Sequence, residues 1–160
     1  MDQPFFLDNI AIVLNRPRYP ENIGAAARAM RNMGLRRLLV VSPENFDMYR
    51  ILTLATHAAA EVAHAIEVFD NLQDALAEFG YVVGTTARLG DRRQVIASPE
   101  KMARQLMPVC AENPTAVVFG PEDRGLTNAE LRFCHGLIHI PTAAFSSINL
   151  AHSVTIICYE

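Results

Sequence analysis

The chain has no close pair of cysteines, only one lysine, and no apolar run long enough to cross a bilayer. Each shortage excludes something. Cys110, Cys134 and Cys158 are odd in number and widely spaced, so reduced thiols in a cytoplasmic protein are expected rather than a disulfide framework. A membrane-spanning helix needs about 20 consecutive apolar residues, and the sequence offers none. Met1 to Leu14 carries Asp2, Asp8 and Asn9 but no basic cluster ahead of its apolar run, so no signal peptide is expected. Low-complexity tracts, internal repeats and linker-like stretches are missing too. With 160 residues, 51% hydrophobic and 19% charged, a single globular domain over residues 1–160 is expected.

A formal net charge of −3 excludes a uniformly basic nucleic-acid binder. Apart from Lys101, every lysine-or-arginine position is arginine. A guanidinium's planar fork suits phosphates and stacked bases, although codon bias in a GC-rich genome gives the same preference. Position says more than type. Arg16, Arg18, Arg28, Arg31, Arg36 and Arg37 crowd the first quarter, and Arg88, Arg92 and Arg93 crowd one loop. Acidic residues gather elsewhere, at Glu61, Glu67, Asp70, Asp74 and Glu78, so a local basic face is compatible with the acidic total.

Strand-like and helical runs alternate, which predicts an α/β fold with a mainly parallel sheet flanked by helices. Strands are expected near Ile10–Leu14, Leu38–Ser42, Ile66–Phe69, Tyr81–Thr85, Ala116–Gly120 and Leu137–Ile140; their continuous apolar character suits burial on both faces. Asn22 to Met33 reads as a helix capped by Asn22 and closed by Gly34. Asp70 with Gln73 opens another, which Gly80 ends. Ser98-Pro99-Glu100 opens a third, and Thr127-Asn-Ala-Glu130 is a capping box. Leu89–Ala97 is the best candidate for a mobile element. The last helix reaches Tyr159-Glu160 with its Ile148, Ala151, Thr155 and Cys158 face unbroken, so a longer natural chain is expected.

Three loops are built alike. Arg16-Pro-Arg-Tyr-Pro-Glu-Asn-Ile-Gly24 follows the first strand and leads into the helix carrying Arg28, expected about one turn in. Phe119-Gly-Pro-Glu-Asp-Arg-Gly-Leu126 follows a buried strand and sets Glu122 at its carboxyl end, where it can hold an arginine from a neighbouring loop. Leu137-Ile-His-Ile-Pro141 runs into Ser146-Ser-Ile-Asn-Leu150 at the opening of the last helix, where serines are usually caps. Gly84-Thr-Thr-Ala-Arg88 is a fourth strand end with small residues and an arginine. In open α/β sheets, ligands lie beyond the carboxyl ends of strands. The loops therefore describe one pocket floored by small residues, with arginines and a carboxylate at its rim. No G-x-G-x-x-G, Walker loop or Gly-x-Ser-x-Gly elbow is present, which argues against a dinucleotide site, a P-loop and a hydrolase.

The set P-x-N-x-G-x-x-x-R (Pro20, Asn22, Gly24, Arg28), G-x-E-x-x-G-L (Gly120, Glu122, Gly125, Leu126) and I-P…S-x-N (Ile140, Pro141, Ser147, Asn149) resembles the three motifs of SPOUT-class RNA methyltransferases. Within that class the chain is similar to the SpoU (TrmH-like) branch of ribose 2′-O-methyltransferases, over essentially its whole length and in the right order. Gly-Thr-Thr-Ala-Arg and Phe-Ser-Ser-Ile-Asn-Leu look closest to the tRNA anticodon-loop Cm/Um enzymes, acting at nucleotide 32. Ile148 departs from the usual leucine, and Pro121 fills a variable position.

The resemblance implies a C-terminal deep trefoil knot, although knots are essentially absent from proteins generally. It implies S-adenosylmethionine bound by Thr85, Thr86, Ala87, Gly120, Ile140, Ser146, Ser147 and Ile148, with Leu150 against the adenine. It also implies a homodimer paired through the first and last helices, and no metal. The hydroxyl to be methylated is a poor nucleophile, so a guanidinium beside it lowers the cost of developing charge. That role falls to Arg28, oriented by Asn22 and Glu122. Ser147 and Asn149 position ribose or the cofactor carboxylate, and Arg88 grips a phosphate. Arg16, Arg18, Arg88, Arg92 and Arg93 are the expected RNA contacts, with tRNA as partner. Ribosomal RNA is the alternative substrate, and a catalytically silent RNA-binding module is the alternative of another class. His135 and His139, four apart across Gly136 at a strand entrance, need not fall on one side, so a metal pair is not expected, and His57, His64 and His152 lack ligand partners nearby.

Overall fold

The computed structural model describes residues 5–88 and 96–160. A short 3₁₀ turn, Phe5–Asn9, leads into β1 (Ile10–Asn15), α1 (Pro20–Asn32), β2 (Arg37–Val41), α2 (Met48–His64), β3 (Glu67–Phe69) and α3 (Leu72–Leu76). Then come β4 (Tyr81–Thr85), β5 (Ile96–Ala97), α4 (Pro99–Cys110), β6 (Thr115–Phe119), α5 (Asn128–Leu131), β7 (Gly136–Ile138) and α6 (Leu150–Tyr159). The strands form one seven-stranded sheet in the order β3-β2-β1-β6-β4-β7-β5, and every described pairing is parallel. Most of Leu89–Ala97, with Arg92 and Arg93, lies outside the described residues; its last two residues are β5.

Parallel strands covered on both faces must be apolar throughout, and β6 is buried at all five positions. One face of the sheet, with Ile12, Leu14, Leu38, Val40, Val83 and Phe119, packs beneath α1, α2, α4 and α6. The other, with Ala11, Val13, Leu39, Val82 and Val118, packs beneath α3 and the segment around Leu126 and Cys134. Helix α2 occupies a stretch where the sequence signals no element. Asp47 caps it through Tyr49 N–H and Arg50 N–H, and its inward positions are Ile51, Ala55, Ala59, Val62 and Ala63. Small side chains let α1 and α2 approach closely. At Gly24 a Cβ would overlap the main-chain carbonyl of Ile51.

Two expectations about helix ends are corrected. Asn22 does not cap α1: the helix starts two residues earlier at Pro20, whose fixed φ and missing N–H suit a first turn. Arg28 is therefore the ninth residue of α1, a little over two turns in rather than the one turn expected for its loop-facing role. The serines before α6 are not its caps either. Asn149 is, its Oδ1 accepting from Ala151 N–H at 2.9 Å and His152 N–H at 3.3 Å. Asn71, rather than Asp70, caps α3.

Candidate active site

Strands β1, β6, β4 and β7 are neighbours in the sheet, so the loops leaving their carboxyl ends are necessarily neighbours too. They enclose a cavity of about 260 Å³. Its wall contains Thr85, Thr86, Ala87 and Arg88 after β4, Gly120 and Glu122 after β6, and Ile140, Ser146, Ser147, Ile148 and Leu150 after β7. All nine residues named from the sequence as cofactor contacts are among them. Ser153 also lines the cavity and was missed by sequence reasoning. The available signal was spacing: three residues after Leu150 on a helix is the same face.

The floor is held by main-chain bonds. Thr86 N–H donates to Ile138 O at 2.9 Å, joining two of the loops, and Thr85 Oγ1 donates to Val118 O at 3.1 Å. His139 Nδ1 stands 3.1 Å from Thr86 O, which can only accept, so that nitrogen carries the proton. After β6 the chain turns tightly on itself. A Cβ at Gly120 would overlap Gly125 and Leu126 backbone, Gly125 takes a φ of +67°, and its N–H donates to Pro121 O at 2.9 Å.

The rim is a chain of hydrogen bonds that crosses all three motif loops. Asn149 Nδ2 donates to Asn22 Oδ1 at 3.0 Å, and Asn22 Nδ2 donates to Glu122 Oε1 at 2.9 Å. Glu122 also accepts from Arg18 N–H at 2.8 Å and Tyr19 N–H at 3.3 Å. The expectation that Glu122 holds an arginine side chain is thus corrected. What it holds is main chain entering α1, whose N-cap residue Tyr19 supplies no capping side chain. A carboxylate there satisfies orphan N–H groups and complements the helix dipole.

The arginines divide. Arg88 lines the cavity, with Nη2 donating to Leu126 O at 3.2 Å. Arg18 pairs with Glu44 at 3.3 Å and Asp123 at 3.4 Å; its hydrogen bond to Glu44 holds the guanidinium above its ordinary pKa. Arg16, at a left-handed φ of 53°, places Nη2 2.7 Å from Glu130 Oε1, out of line for a hydrogen bond, so the contact is ionic. Glu130 accepts in addition from buried Asn15 and from Thr127 N–H. Arg28 is exposed on α1, is not part of the cavity wall, and has no ion pair among the described residues.

The two histidines considered as metal ligands serve the main chain. Val82 N–H donates to His135 Nδ1 at 2.9 Å, the His135 ring stacks on Tyr81, and His139 bonds Thr86 as described. Among the described residues no group of three acidic, histidine or cysteine side chains is placed to hold a metal, and no helix is long and apolar enough to cross a membrane.

The model of the SpoU rRNA methylase family matches residues 9–159. The chain belongs to the SpoU methylase family. Among SpoU relatives, it is 42% identical to the tRNA (cytidine/uridine/adenosine-2′-O-)-methyltransferase TrmJ of Pseudomonas aeruginosa, a match covering 96% of this chain and 60% of that protein. A probable methylase family protein from Haemophilus influenzae superposes with a TM-score of 0.89 at 38% identity, covering 96% of this chain and 64% of that one. TrmJ from Z. mobilis superposes with a TM-score of 0.86 at 34% identity, covering 93% and 66%. The chain spans about 60% of the length of the curated relatives it matches.

Proposed function

We propose that this chain is the S-adenosylmethionine-dependent methyltransferase domain of a cytoplasmic enzyme that methylates a ribose 2′-hydroxyl in tRNA. The target is the anticodon-loop cytidine or uridine at nucleotide 32. The observation that carries this reading is the Asn149–Asn22–Glu122 chain of hydrogen bonds at the rim of the cavity. It ties residues 22, 122 and 149, remote in sequence, into one polar edge. The relatives named as tRNA 2′-O-methyltransferases supply the substrate class.

The cavity suits the methyl donor. Ile140, Ile148, Leu150 and Leu126 offer apolar surface for an adenine, and Ser146 and Ser147 offer hydroxyls with no partner among the described residues. The tight loop at Gly120 presents bare backbone. When bound, the cofactor supplies a sulfonium-activated methyl group open to in-line attack. This chain's residues have the remaining work. The attacking 2′-oxygen gains negative charge as it loses its proton to solvent water, and Arg28 stabilises that charge. Asn22 and Glu122 fix the entry to α1 and so the helix that carries Arg28; Asn149 keeps one Nδ2 hydrogen to orient ribose, and Ser147 contacts ribose or the cofactor carboxylate. Arg88 holds the adjoining phosphate.

Because Arg28 stands outside its own cavity wall, it reaches the acceptor from a second copy of the chain, in a homodimer paired through α1 and α6. A knot formed by threading the last segment is part of the same proposal. It is supported by β7 lying between β4 and β5, both earlier in sequence. A single-stranded loop is a sensible target because its bases are splayed and accessible.

The test is methylation of unmodified tRNA transcripts with labelled S-adenosylmethionine, followed by nuclease digestion and mass spectrometry. A ribose methyl at nucleotide 32 is expected, with a rate that falls as salt rises. Ribosomal RNA is the second reading, favoured by the family's own description. Label in ribosomal fragments and none in tRNA would establish it.

A further inference from the structure

Within the loop between β7 and α6, the stretch Thr142–Ser147 carries small side chains except at one position. Thr142, Ala143, Ala144, Ser146 and Ser147 surround Phe145, which is 80% exposed. Burying a phenylalanine side chain is favourable; this one forgoes that gain beside the cavity. Its neighbours Ser146 and Ser147 belong to the cavity wall. Among the described residues no ring or cation contacts it. The other exposed ring at the rim, Tyr19, is half exposed and has the Arg18 guanidinium 5.8 Å from its centroid, so that face is taken.

We propose that Phe145 is the stacking platform for an unpaired nucleobase of the RNA, at or beside the nucleotide whose ribose is methylated. The inference rests on the RNA reading above and adds a substrate-positioning residue to it. An aromatic face accepts any base, and base–aromatic stacking is the common way single-stranded RNA is held. A splayed base lying on Phe145 leaves its own ribose next to Ser147. Phe145 thus sets substrate placement without reacting.

The chain has no tryptophan, so Phe145→Trp introduces a sole indole reporter. Titration with an anticodon stem–loop RNA should quench its emission, whereas a fully paired, blunt-ended RNA duplex should not. Quenching by S-adenosylhomocysteine alone, or equally by both RNAs, would overturn the proposal. In methylation assays Phe145→Ala and Phe145→Leu should raise the KM for tRNA about ten-fold or more. Phe145→Tyr should restore it, and the KM for the methyl donor should not move. If Phe145→Leu matches the wild type, the ring acts only as apolar bulk and the proposal fails. A dimer that dissociates on Phe145→Ala, seen by sedimentation, would place the ring in a subunit interface and likewise refute it. The fluorescence titration needs no turnover. Selective quenching with no tRNA methylation would therefore count against the proposed reaction while leaving the stacking site standing.

Discussion

Asn149 has two separable duties at the residue scale. Its Oδ1 caps α6 and its Nδ2 bonds Asn22. Aspartate caps about as well as asparagine but has no amide hydrogens. Asn149→Asp should therefore unfold in urea within about 0.5 kcal/mol of the wild type, while its methylation rate falls at least ten-fold. Asn149→Ala should lose the rate and about 1 kcal/mol of stability. Equal destabilisation by both substitutions would show that the link to Asn22, not the cap, stabilises the fold. The cysteines give a second residue-scale prediction. Burial pushes the Cys134 and Cys158 thiols up to about 12 from 9.0. Their contribution is fully present below about pH 9, where both folded and unfolded thiols are neutral, and is lost as pH rises towards 12, because the unfolded chain ionises first. Urea midpoints should fall over that interval, and Cys134→Ala should flatten the fall.

At the scale of elements, Gly24 decides how closely α1 lies on α2. The group a Cβ would strike is a main-chain carbonyl, which cannot swing aside as a flexible side chain would. Gly24→Ala should cost about 3 kcal/mol or more by overpacking. Gly80→Ala meets only ordinary contacts and should stay within about 0.5 kcal/mol; chemical denaturation of the pair checks both. Elements differed in how far they could be read from sequence for physical reasons. Buried parallel strands are continuous apolar runs, so β1, β4 and β6 were legible to within a residue. Helix α2 was not, because three of its five core positions are alanine and Thr56 interrupts it at a φ of 62°. The start of α1 depends on Glu122, a hundred residues from Asn22, and no local signal announces such a cap. Motif order brought together the residues of the cavity wall, yet the Asn149–Asn22 bond spans 127 positions and is visible only in three dimensions.

At the scale of the whole molecule, the proposed reaction requires a route by which Arg28 meets the acceptor. It is exposed, on a helix packed against both α2 and α6, and stands apart from the wall formed by Gly120 and Ser147 of its own chain. In a two-fold dimer each subunit presents the same surface to the other, so a residue missing from one site is supplied to both. This makes subunit mixing decisive. Arg28→Ala and Ser147→Ala should each be nearly inactive alone while retaining the dimer. After co-refolding in equal amounts, half the dimers are mixed, and each mixed dimer regains one site with Arg28 from one chain and Ser147 from the other. Roughly a quarter of the wild-type activity should return if the site is shared. If Arg28 acts within its own chain, every mixed site lacks one of the two groups and no activity returns. Recovery therefore measures directly which chain supplies the guanidinium, and its absence from a mixture that sedimentation shows to be dimeric would confine catalysis to one subunit.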